Sequence, residues 1–291
     1  MASKPYEVKW GILATGGIAT TFCKDILCNP STRNVLDIQH TIVAAASSSS
    51  ASRAETFLKE INARPGTKAY GSYHELVNDP NIDVIYIATP HSHHFQNAIE
   101  REKPLLHGSS MDEVLPPEHP DQGTGKQQSH REVHRVFADL SIAEATEDGS
   151  LAFRPENRMV NPDLAGGALL DLGIYSLTHE GGNPSFWPGV PTVAVYRVFQ
   201  NAHEAGAFET VDCPIPADPE RGNWGHGMAW EADEGGEMLR DGKKESAALD
   251  WRESEVIMGV MDEVRSQGGL KYSEEIESDV FDAKSGLNGR A

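Results

Sequence analysis

The sequence predicts an α/β fold whose first part is a parallel sheet with helices on both faces. Two observations support this fold class. Short apolar runs rich in Val, Ile and Ala alternate with segments of helical spacing over roughly the first 100 residues. Each apolar run also ends in small or polar residues that can begin the next helix. Strands that alternate with helices of this length normally form βαβ units in a parallel sheet.

Four strand–helix pairs follow one another in this first part. The segment D-V-I-Y-I-A at 83–88 is the strongest strand, because it is short, apolar and rich in β-branched residues. The predicted pairs, in chain order, are 8–14 with 18–27, 40–46 with 51–61, a short strand at Tyr70 with 72–77, and 83–88 with 91–101.

Regular periodicity is lost at 107–130, where Gly, Ser and Pro are frequent. So long an irregular stretch is unusual inside a compact domain, so we interpret 109–129 as a linker. The sequence therefore predicts a parallel-sheet domain at 1–129 and a second, α+β domain at 130–291. In the second domain, strands are expected at 133–140, 190–198 and 208–213, and helices at 167–177, 227–240 and 251–265.

Composition narrows the classes of partner. The net charge of −19 argues against binding to nucleic acid, since an acidic surface repels phosphate backbones. No apolar run is long enough to cross a membrane, and Met1–Trp10 lacks the apolar core of a signal peptide, so a cytoplasmic location is expected. The three cysteines form no C-x-x-C pair, so neither a disulfide framework nor a zinc site is implied.

The turn after the first strand resembles a dinucleotide-binding turn. Ala14, Gly16 and Ala19 stand at the three key positions of G-x-G-x-x-G/A, with alanine in place of the first glycine. In such turns the backbone approaches a diphosphate and the next helix points its amides at that group. The alternative is a glycine-rich turn with no ligand. The candidate cofactor residues here are Ala14, Thr15, Gly16, Gly17 and Ile18.

The end of the second strand favours NADP, with NAD as the less favoured cofactor. NAD enzymes usually place a carboxylate there, but this chain has Ser47 and Ser48, with Arg53 one turn later and no carboxylate before Glu55. Small hydroxyls beside a cation suit a 2′-phosphate. The alternative, that the serines cap the following helix, is compatible with this interpretation.

The fourth strand ends in a histidine-rich segment. Thr89, Pro90, His91 and His94 lie where the carboxyl ends of parallel strands bind ligands. We expect them to cap the next helix and to contact the nicotinamide half of the cofactor. No metal is predicted, because no cysteine or acidic residue nearby completes a ligand set.

Several separated motifs resemble one family. They include W-G-I-L-A-T-G-G-I-A at 10–19, I-A-T-P-H-S-H-H at 87–94 and G-G-A-L-L-D-L-G-I-Y-S-L at 166–177, followed by related stretches at 225–234 and 260–272. Together they are similar to the glucose–fructose oxidoreductase/inositol dehydrogenase family (Gfo/Idh/MocA). Within it, the similarity is greatest to the dihydrodiol dehydrogenases and the fungal NADP-dependent D-xylose dehydrogenases.

The resemblance implies an N-terminal Rossmann domain and a second domain with an open, mostly antiparallel sheet. In this family that sheet usually forms the oligomer interface, so a homodimer through the C-terminal sheet is expected. The resemblance also implies reversible hydride transfer between a nicotinamide and a small-molecule substrate. That substrate would be a sugar such as a D-xylose-like aldose, or a trans-dihydrodiol.

The family's catalytic group is a lysine in an E-K-P motif, helped by an Asp and a Tyr or His on one helix. The resemblance places Lys103, Asp171 and Tyr175 in these roles. The i, i+4 spacing of Asp171 and Tyr175 puts both on one helix face. A second alignment treats 103–106 as the strand before E-K-P. His107, Gly108 and Ser109 then stand where Cys-Glu-Lys is expected, so the catalytic lysine is absent. Both alignments stay open.

The chain also departs from the family pattern. The helix and strand expected after E-K-P, and several strands expected after the Asp/Tyr helix, have no counterpart in the sequence. Loss of interior strands would expose a sheet edge and apolar surface. Three functions therefore remain: an NADP-dependent dehydrogenase, a non-catalytic NAD(P)-binding regulatory protein, and an inactive truncated paralogue.

Overall fold

A computed structural model describes residues 4–99, 105–107, 152–167, 169–174, 193–199, 208–246 and 249–289. The backbone alone is described at 105–107, 193–199 and 208–214. The predicted strand at 133–140 and the linker at 109–129 lie outside these ranges.

Five parallel strands form the first sheet, in the order β3-β2-β1-β4-β5. This order has β1 at the centre with crossovers to either side, as in one half of a doubly wound Rossmann fold. The α/β class predicted from the sequence is therefore confirmed. The strands are β1 (Tyr6–Leu13), β2 (Ile38–Ala46), β3 (Lys68–Tyr70), β4 (Val84–Ile87) and β5 (Leu105–His107).

Helices cover both faces of this sheet and bury two apolar cores. One core lies under α1 and α2 and is built around Trp10, Phe22 and Ile42. The other lies under α3 and α4 and is built around Leu76 and Ile85. Near-continuous apolar strands are what a sheet buried on both faces requires. The helices are α1 (Gly17–Ile26), α2 (Ala51–Glu60), α3 (Tyr73–Val77) and α4 (His91–Ile99).

A helix from the C-terminal part of the chain completes the first of these cores. In α5 (Met228–Asp241), Met228 and Ala232 are fully buried against the Rossmann sheet. Gly236 lets α5 approach closely, since a Cβ there would lie 2.9 Å from Ile38 and 3.0 Å from Val8. Residues assigned by sequence to the second domain thus pack in the first, while the boundary at residue 129 stays a prediction.

The rest of the described C-terminal part contains one antiparallel hairpin, β6 (Val193–Phe199) with β7 (Phe208–Pro214). The helix α6 (Trp251–Gly268) is followed by Gly269 at φ 68°, the left-handed residue with which helices commonly end, and then by α7 (Glu274–Glu277). None of the helices in the described part of the chain is both long and apolar enough to cross a lipid bilayer.

The helix predicted at 167–177 differs from expectation. Its described part is a π-helix, Leu169–Gly173, in which hydrogen bonds span five residues instead of four. A wider turn changes the angle between successive side chains. Tyr175 lies outside the described residues, so the expected i, i+4 relation of Asp171 and Tyr175 stays a prediction.

Candidate active site

The turn after β1 keeps the shape of a dinucleotide-binding turn although its first glycine is replaced. Ala14 has φ 79°, in the left-handed region that glycine adopts without strain. Its amide donates a hydrogen bond to the Ala46 carbonyl at 3.1 Å, which joins the ends of β1 and β2. The backbone therefore has the conformation that the motif needs, at the cost of a strained alanine.

The start of α1 is open. Gly16 is the N-cap and makes no side-chain cap, and the first turn has no acidic residue. Gly16, Gly17 and Ile18 are exposed, and a Cβ on either glycine would meet no atom within 4 Å. Thr15 beside them is half-buried. Uncapped amides at an exposed helix N-terminus, with no side chain over them, fit the diphosphate of a dinucleotide.

The segment after β2 is folded by its own serines. The buried Ser47 hydroxyl lies 2.9 Å from the Ser49 hydroxyl and accepts a bond from the Ser49 amide at 3.3 Å. The cap of α2 is Ser50, which accepts from the Arg53 amide at 3.3 Å. The capping role thus belongs to Ser50, whereas Ser47 stabilises the turn.

Ser48 lies beside Tyr73, the first residue of α3. The side chain and the backbone of Ser48 are both close enough to the Tyr73 hydroxyl to lower its pKa. Burial raises the pKa of Tyr73, and Ser48 and the charge of Arg53 oppose that rise. The exposed Arg53 is therefore close to Ser48 and Tyr73, on the edge of the sheet where Ala14 and Gly16 lie.

The residues predicted at the end of β4 lie together. The Thr89 hydroxyl donates to the Asn97 side-chain oxygen at 3.0 Å, and His94 Nε2 donates to the Thr89 carbonyl at 2.8 Å. The His91 and His94 rings meet edge to face with centroids 5.5 Å apart. Pro90 accepts a bond from the His93 amide, which begins α4. Among the described residues, no group of three or more His, Cys, Asp or Glu is placed to hold a metal.

Asp171 is brought to this same edge. Its buried carboxylate accepts a bond from Arg158 Nη1 at 2.7 Å on Oδ1, and His91 Nε2 lies 3.7 Å from that oxygen. Its second oxygen, Oδ2, is buried and has no hydrogen-bond partner within the described ranges. The motif at 87–94 and the motif at 166–177 therefore meet at one carboxylate.

The surroundings of His91 favour the neutral form of its imidazole ring. Burial lowers its pKa most, and the Arg158 charge lowers it further, whereas Asp171 and a bond to the Ala165 backbone oppose these effects. A neutral ring beside a carboxylate can accept a proton, and the resulting imidazolium would be stabilised by Asp171.

Sequence reasoning missed Arg158 as a partner of Asp171. It also missed the contact between His91 and Asp171. The motif at 166–177 begins eight residues after Arg158, so nothing in its pattern pointed to that arginine.

Two glycines place the Asp171 segment. A Cβ on Gly166 would clash with the Arg158 carbonyl and the Asn161 backbone, and Gly167 has φ 138°. The Tyr272 hydroxyl donates to the Gly166 carbonyl at 3.1 Å, and the Arg265 guanidinium lies over its ring. The motifs at 166–177 and 260–272 therefore meet as a structural unit that holds Asp171.

Lys103 and Tyr175 lie outside the described residues, so their places stay predictions. The strand β5 begins at Leu105, two residues after Lys103, and pairs with β4 so that His107 stands beside Ile87.

The comparisons with known proteins identify the family to which the chain is similar. The profile of the oxidoreductase family with an NAD-binding Rossmann fold matches residues 8–105. A D-xylose 1-dehydrogenase (NADP(+)) of Hypocrea jecorina is 40% identical over 390 residues, covering 99% of each chain. A trans-1,2-dihydrobenzene-1,2-diol dehydrogenase of Mus musculus is 26% identical over 341 residues, covering 92% of this chain and 99% of its own.

The alignment with the Hypocrea enzyme also bears on the missing segments. It spans 390 positions, whereas this chain has 291 residues, so about 100 aligned positions hold no residue of this chain. Because both chains are covered almost end to end, these positions are internal. The prediction that internal segments of the family are missing is thus confirmed.

Solved structures show the same fold. A myo-inositol dehydrogenase of Corynebacterium glutamicum is 14% identical with a TM-score of 0.51, over 90% of this chain and 97% of its own. A 3-ketoreductase variant of Actinomadura kijaniata, 14% identical, has a TM-score of 0.52 over 90% of this chain and 98% of its own. With a relative at 40% identity along nearly its whole length, the chain belongs to the oxidoreductase family with an NAD-binding Rossmann fold.

Proposed function

We propose that the protein is an NADP-dependent dehydrogenase of a sugar, with a D-xylose-like aldose or a trans-dihydrodiol as substrate. The observation that carries the proposal is the open corner at Gly16 and Gly17, on the same sheet edge as the meeting of His91 and Asp171. A diphosphate-binding turn beside an acid–base pair is the arrangement that hydride transfer needs. The names of the Hypocrea and Mus relatives supply the cofactor and the two substrate classes.

The cofactor residues have distinct roles in this proposal. The first amides of α1 hold the diphosphate, while Ser48 and Arg53 lie on the side of the 2′-phosphate. Thr89, Pro90, His91 and His94 lie on the nicotinamide side. NADP supplies the hydride acceptor, and the protein orients it and excludes water.

In this proposal the proton of the substrate hydroxyl is taken up by side chains near Asp171. Oxidation of a hydroxyl-bearing carbon requires a group to take the hydroxyl proton as hydride leaves. Asp171 brings a carboxylate to the site, and His91 is the neutral acceptor beside it. Lys103 and Tyr175 are the further catalytic residues proposed from the family resemblance.

The position of β5 favours a second candidate function. The strand runs from Leu105 to His107, in parallel with β4, which supports the alignment in which His107, Gly108 and Ser109 stand where Cys-Glu-Lys is expected. A family member without the lysine would still bind its cofactor. The second candidate is therefore a non-catalytic NADP-binding protein.

The test of the first function is reduction of NADP+ by the purified chain with D-xylose or a trans-dihydrodiol, measured as NADPH absorbance, beside calorimetric titration with NADP+ and NAD+. We expect turnover with NADP+ and tighter binding of NADP+ than of NAD+. Binding of NADP+ without turnover of either substrate would support the second candidate. Absence of binding would reject both functions.

A pair of variants tests whether the exposed amides at the start of α1 bind the diphosphate. Gly17→Asp places a carboxylate at the first residue of α1, where it favours the helix dipole but repels a diphosphate. We expect NADP+ binding to weaken at least about tenfold, from charge repulsion at close range, with no loss of melting temperature. Gly259→Asp makes the same change on the exposed face of α6, where a Cβ also meets no atom, and should alter neither quantity. Equal binding by both variants would place the diphosphate elsewhere.

We also propose a cytoplasmic location and a homodimer formed through the C-terminal sheet. The composition supports the first, and the family resemblance supports the second.

A further inference from the structure

The last part of the chain lies along α4. The buried Gln96 side chain binds it twice: Nε2 donates to the Val280 carbonyl at 2.9 Å, and Oε1 accepts from the Asp282 amide at 3.0 Å. A buried amide with both ends bonded to one segment fixes the position of that segment. We call residues 280–289 the C-terminal segment.

A second buried side-chain amide, that of Asn97, joins this segment to Thr89 at the carboxyl edge of the Rossmann sheet. Asn97, 2% exposed, donates to the Leu287 carbonyl at 3.1 Å, and its side-chain oxygen accepts from the Thr89 hydroxyl at 3.0 Å. Thr89 follows β4 by two residues and is one of the residues proposed for the nicotinamide side. One side chain therefore holds both the end of β4 and the C-terminal segment.

The segment then reaches Tyr73 and Ser48, on the side of the sheet edge proposed for the adenosine of NADP. Gly289, at φ 74°, lies so close that a Cβ would be 2.9 Å from the Tyr73 ring and 3.2 Å from Ser48 Cβ. Tyr73 and Ser48 thus both lie against Gly289, and the Tyr73 hydroxyl is close enough to Ser48 and Arg53 for both to lower its pKa. The contact therefore runs from the segment to the residues proposed for the 2′-phosphate.

We infer that the C-terminal segment is part of the NADP site and sets the selectivity for the 2′-phosphate. Gly289 presses the Tyr73 ring into place, and Tyr73 holds Ser48 beside Arg53. Release of the segment would loosen the 2′-phosphate contacts, whereas the exposed amides at Gly16 and Gly17, which the segment does not touch in the contacts above, would stay unchanged. This inference rests on the proposed function, since it assumes that NADP is the cofactor.

The test compares two alanine substitutions three residues apart. Gly289→Ala puts a Cβ against Tyr73 and strains a left-handed residue. Gly286→Ala makes the same change where a Cβ meets no atom and the backbone is not left-handed. Binding of NADP+, NAD+ and adenosine 2′,5′-bisphosphate is measured by calorimetry.

We expect Gly289→Ala to weaken NADP+ and the bisphosphate about fivefold or more, the loss of roughly one hydrogen bond, with NAD+ changed less than about twofold. Gly286→Ala should match the unmodified chain for all three ligands. Equal weakening of NADP+ and NAD+ by Gly289→Ala would overturn the inference, as would unchanged binding of NADP+.

A second variant guards against misfolding of the first. Tyr73→Phe keeps the ring against Gly289 but removes the hydroxyl that faces Ser48, so the same selective loss of NADP+ affinity is expected. Retention of NADP+ selectivity in Tyr73→Phe would contradict the inference even if Gly289→Ala did not fold. Failure of the unmodified chain to bind NADP+ would instead refute the proposed function, and the inference with it.

Discussion

At the scale of single residues, Ala14 is the clearest departure from a sequence motif. It stands where the dinucleotide turn has its first glycine, yet it has the glycine's left-handed conformation. The bonds around it, including the one to Ala46, are strong enough to hold an alanine there. The replacement therefore leaves the cofactor turn intact and lowers the stability of the fold.

Ala14→Gly should consequently stabilise the protein. Relief of the left-handed strain, about 1–2 kcal/mol, exceeds the added entropy of glycine in the unfolded chain, about 0.4–1 kcal/mol. We expect a gain of about 1 kcal/mol in the free energy of unfolding, measured by urea denaturation. Asn34→Gly, at φ 63°, is the matched control with a smaller gain, because asparagine tolerates this region. A loss of stability in Ala14→Gly would contradict the inference that Ala14 is strained.

At the scale of elements, the π-helix Leu169–Gly173 contains Asp171, the carboxylate proposed to support proton transfer. Gly166 and Gly167 position the segment, and Tyr272 holds it from the C-terminal part. Asp171 then meets Arg158 and His91 across a long sequence separation. The carboxylate is thus placed by three separate elements and not by its own helix alone.

Asp171→Asn keeps the shape of the side chain and removes its charge. If Asp171 supports proton transfer, kcat with the sugar substrate should fall about 100-fold or more, while the Kd for NADP+ changes little. Asp163→Asn is the control, since that exposed carboxylate lies in the preceding turn of the same segment. Unchanged kcat in Asp171→Asn would remove this residue from the mechanism.

The position of β5 gives a further use to the same assay. Applied to Lys103→Met, it distinguishes the two alignments of the E-K-P motif. Given an active unmodified chain, activity retained in Lys103→Met would exclude Lys103 as the catalytic lysine, and its loss would support the alignment in which Lys103 has that role.

At the scale of the whole molecule, a buried polar network joins α5 to the Rossmann sheet. Asp233 accepts from Arg33 at 2.9 Å and from His40 Nε2 at 2.8 Å, and His40 Nδ1 accepts from the Trp10 indole at 3.0 Å. Asp25 of α1 accepts two amides at the start of α5, from His226 and Ala229. These contacts attach the C-terminal part of the chain to the first core.

The network makes stability depend on pH. Burial lowers the pKa of His40, opposed by its bond to Asp233, and its two bonds require the neutral ring. In the unfolded chain the histidine takes up a proton as the pH falls below about 6.5, so the unfolded state then binds more protons than the folded state. The contribution of His40 is therefore complete above that pH and is lost as the pH falls.

We expect the free energy of unfolding to fall between about pH 7.5 and pH 5.5. In His40→Asn this dependence should become shallower, because asparagine can still bond Asp233 but does not titrate. His74→Asn, on the exposed face of α3, should keep the slope of the unmodified chain. A slope that is the same in His40→Asn would exclude this residue as its source.

The strands and helices of the first domain were predictable from sequence. The strand at 83–88 and the helix at 51–61 have local apolar patterns, and the structure has β4 at Val84–Ile87 and α2 at Ala51–Glu60. The family was predictable from its separated motifs. These features depend on residues close together in the chain, which is the information that periodicity and motif spacing contain.

The contacts that complete the site were decided only by the tertiary structure. No local pattern places His91 beside Asp171, Arg33 and His40 on Asp233, or Gly289 against Tyr73 and Ser48. Each of these pairs is joined by burial and hydrogen bonding between elements far apart in sequence. Sequence alone therefore determined the family, its cofactor class and the first sheet, whereas packing of the C-terminal part onto that sheet decided how the site is assembled.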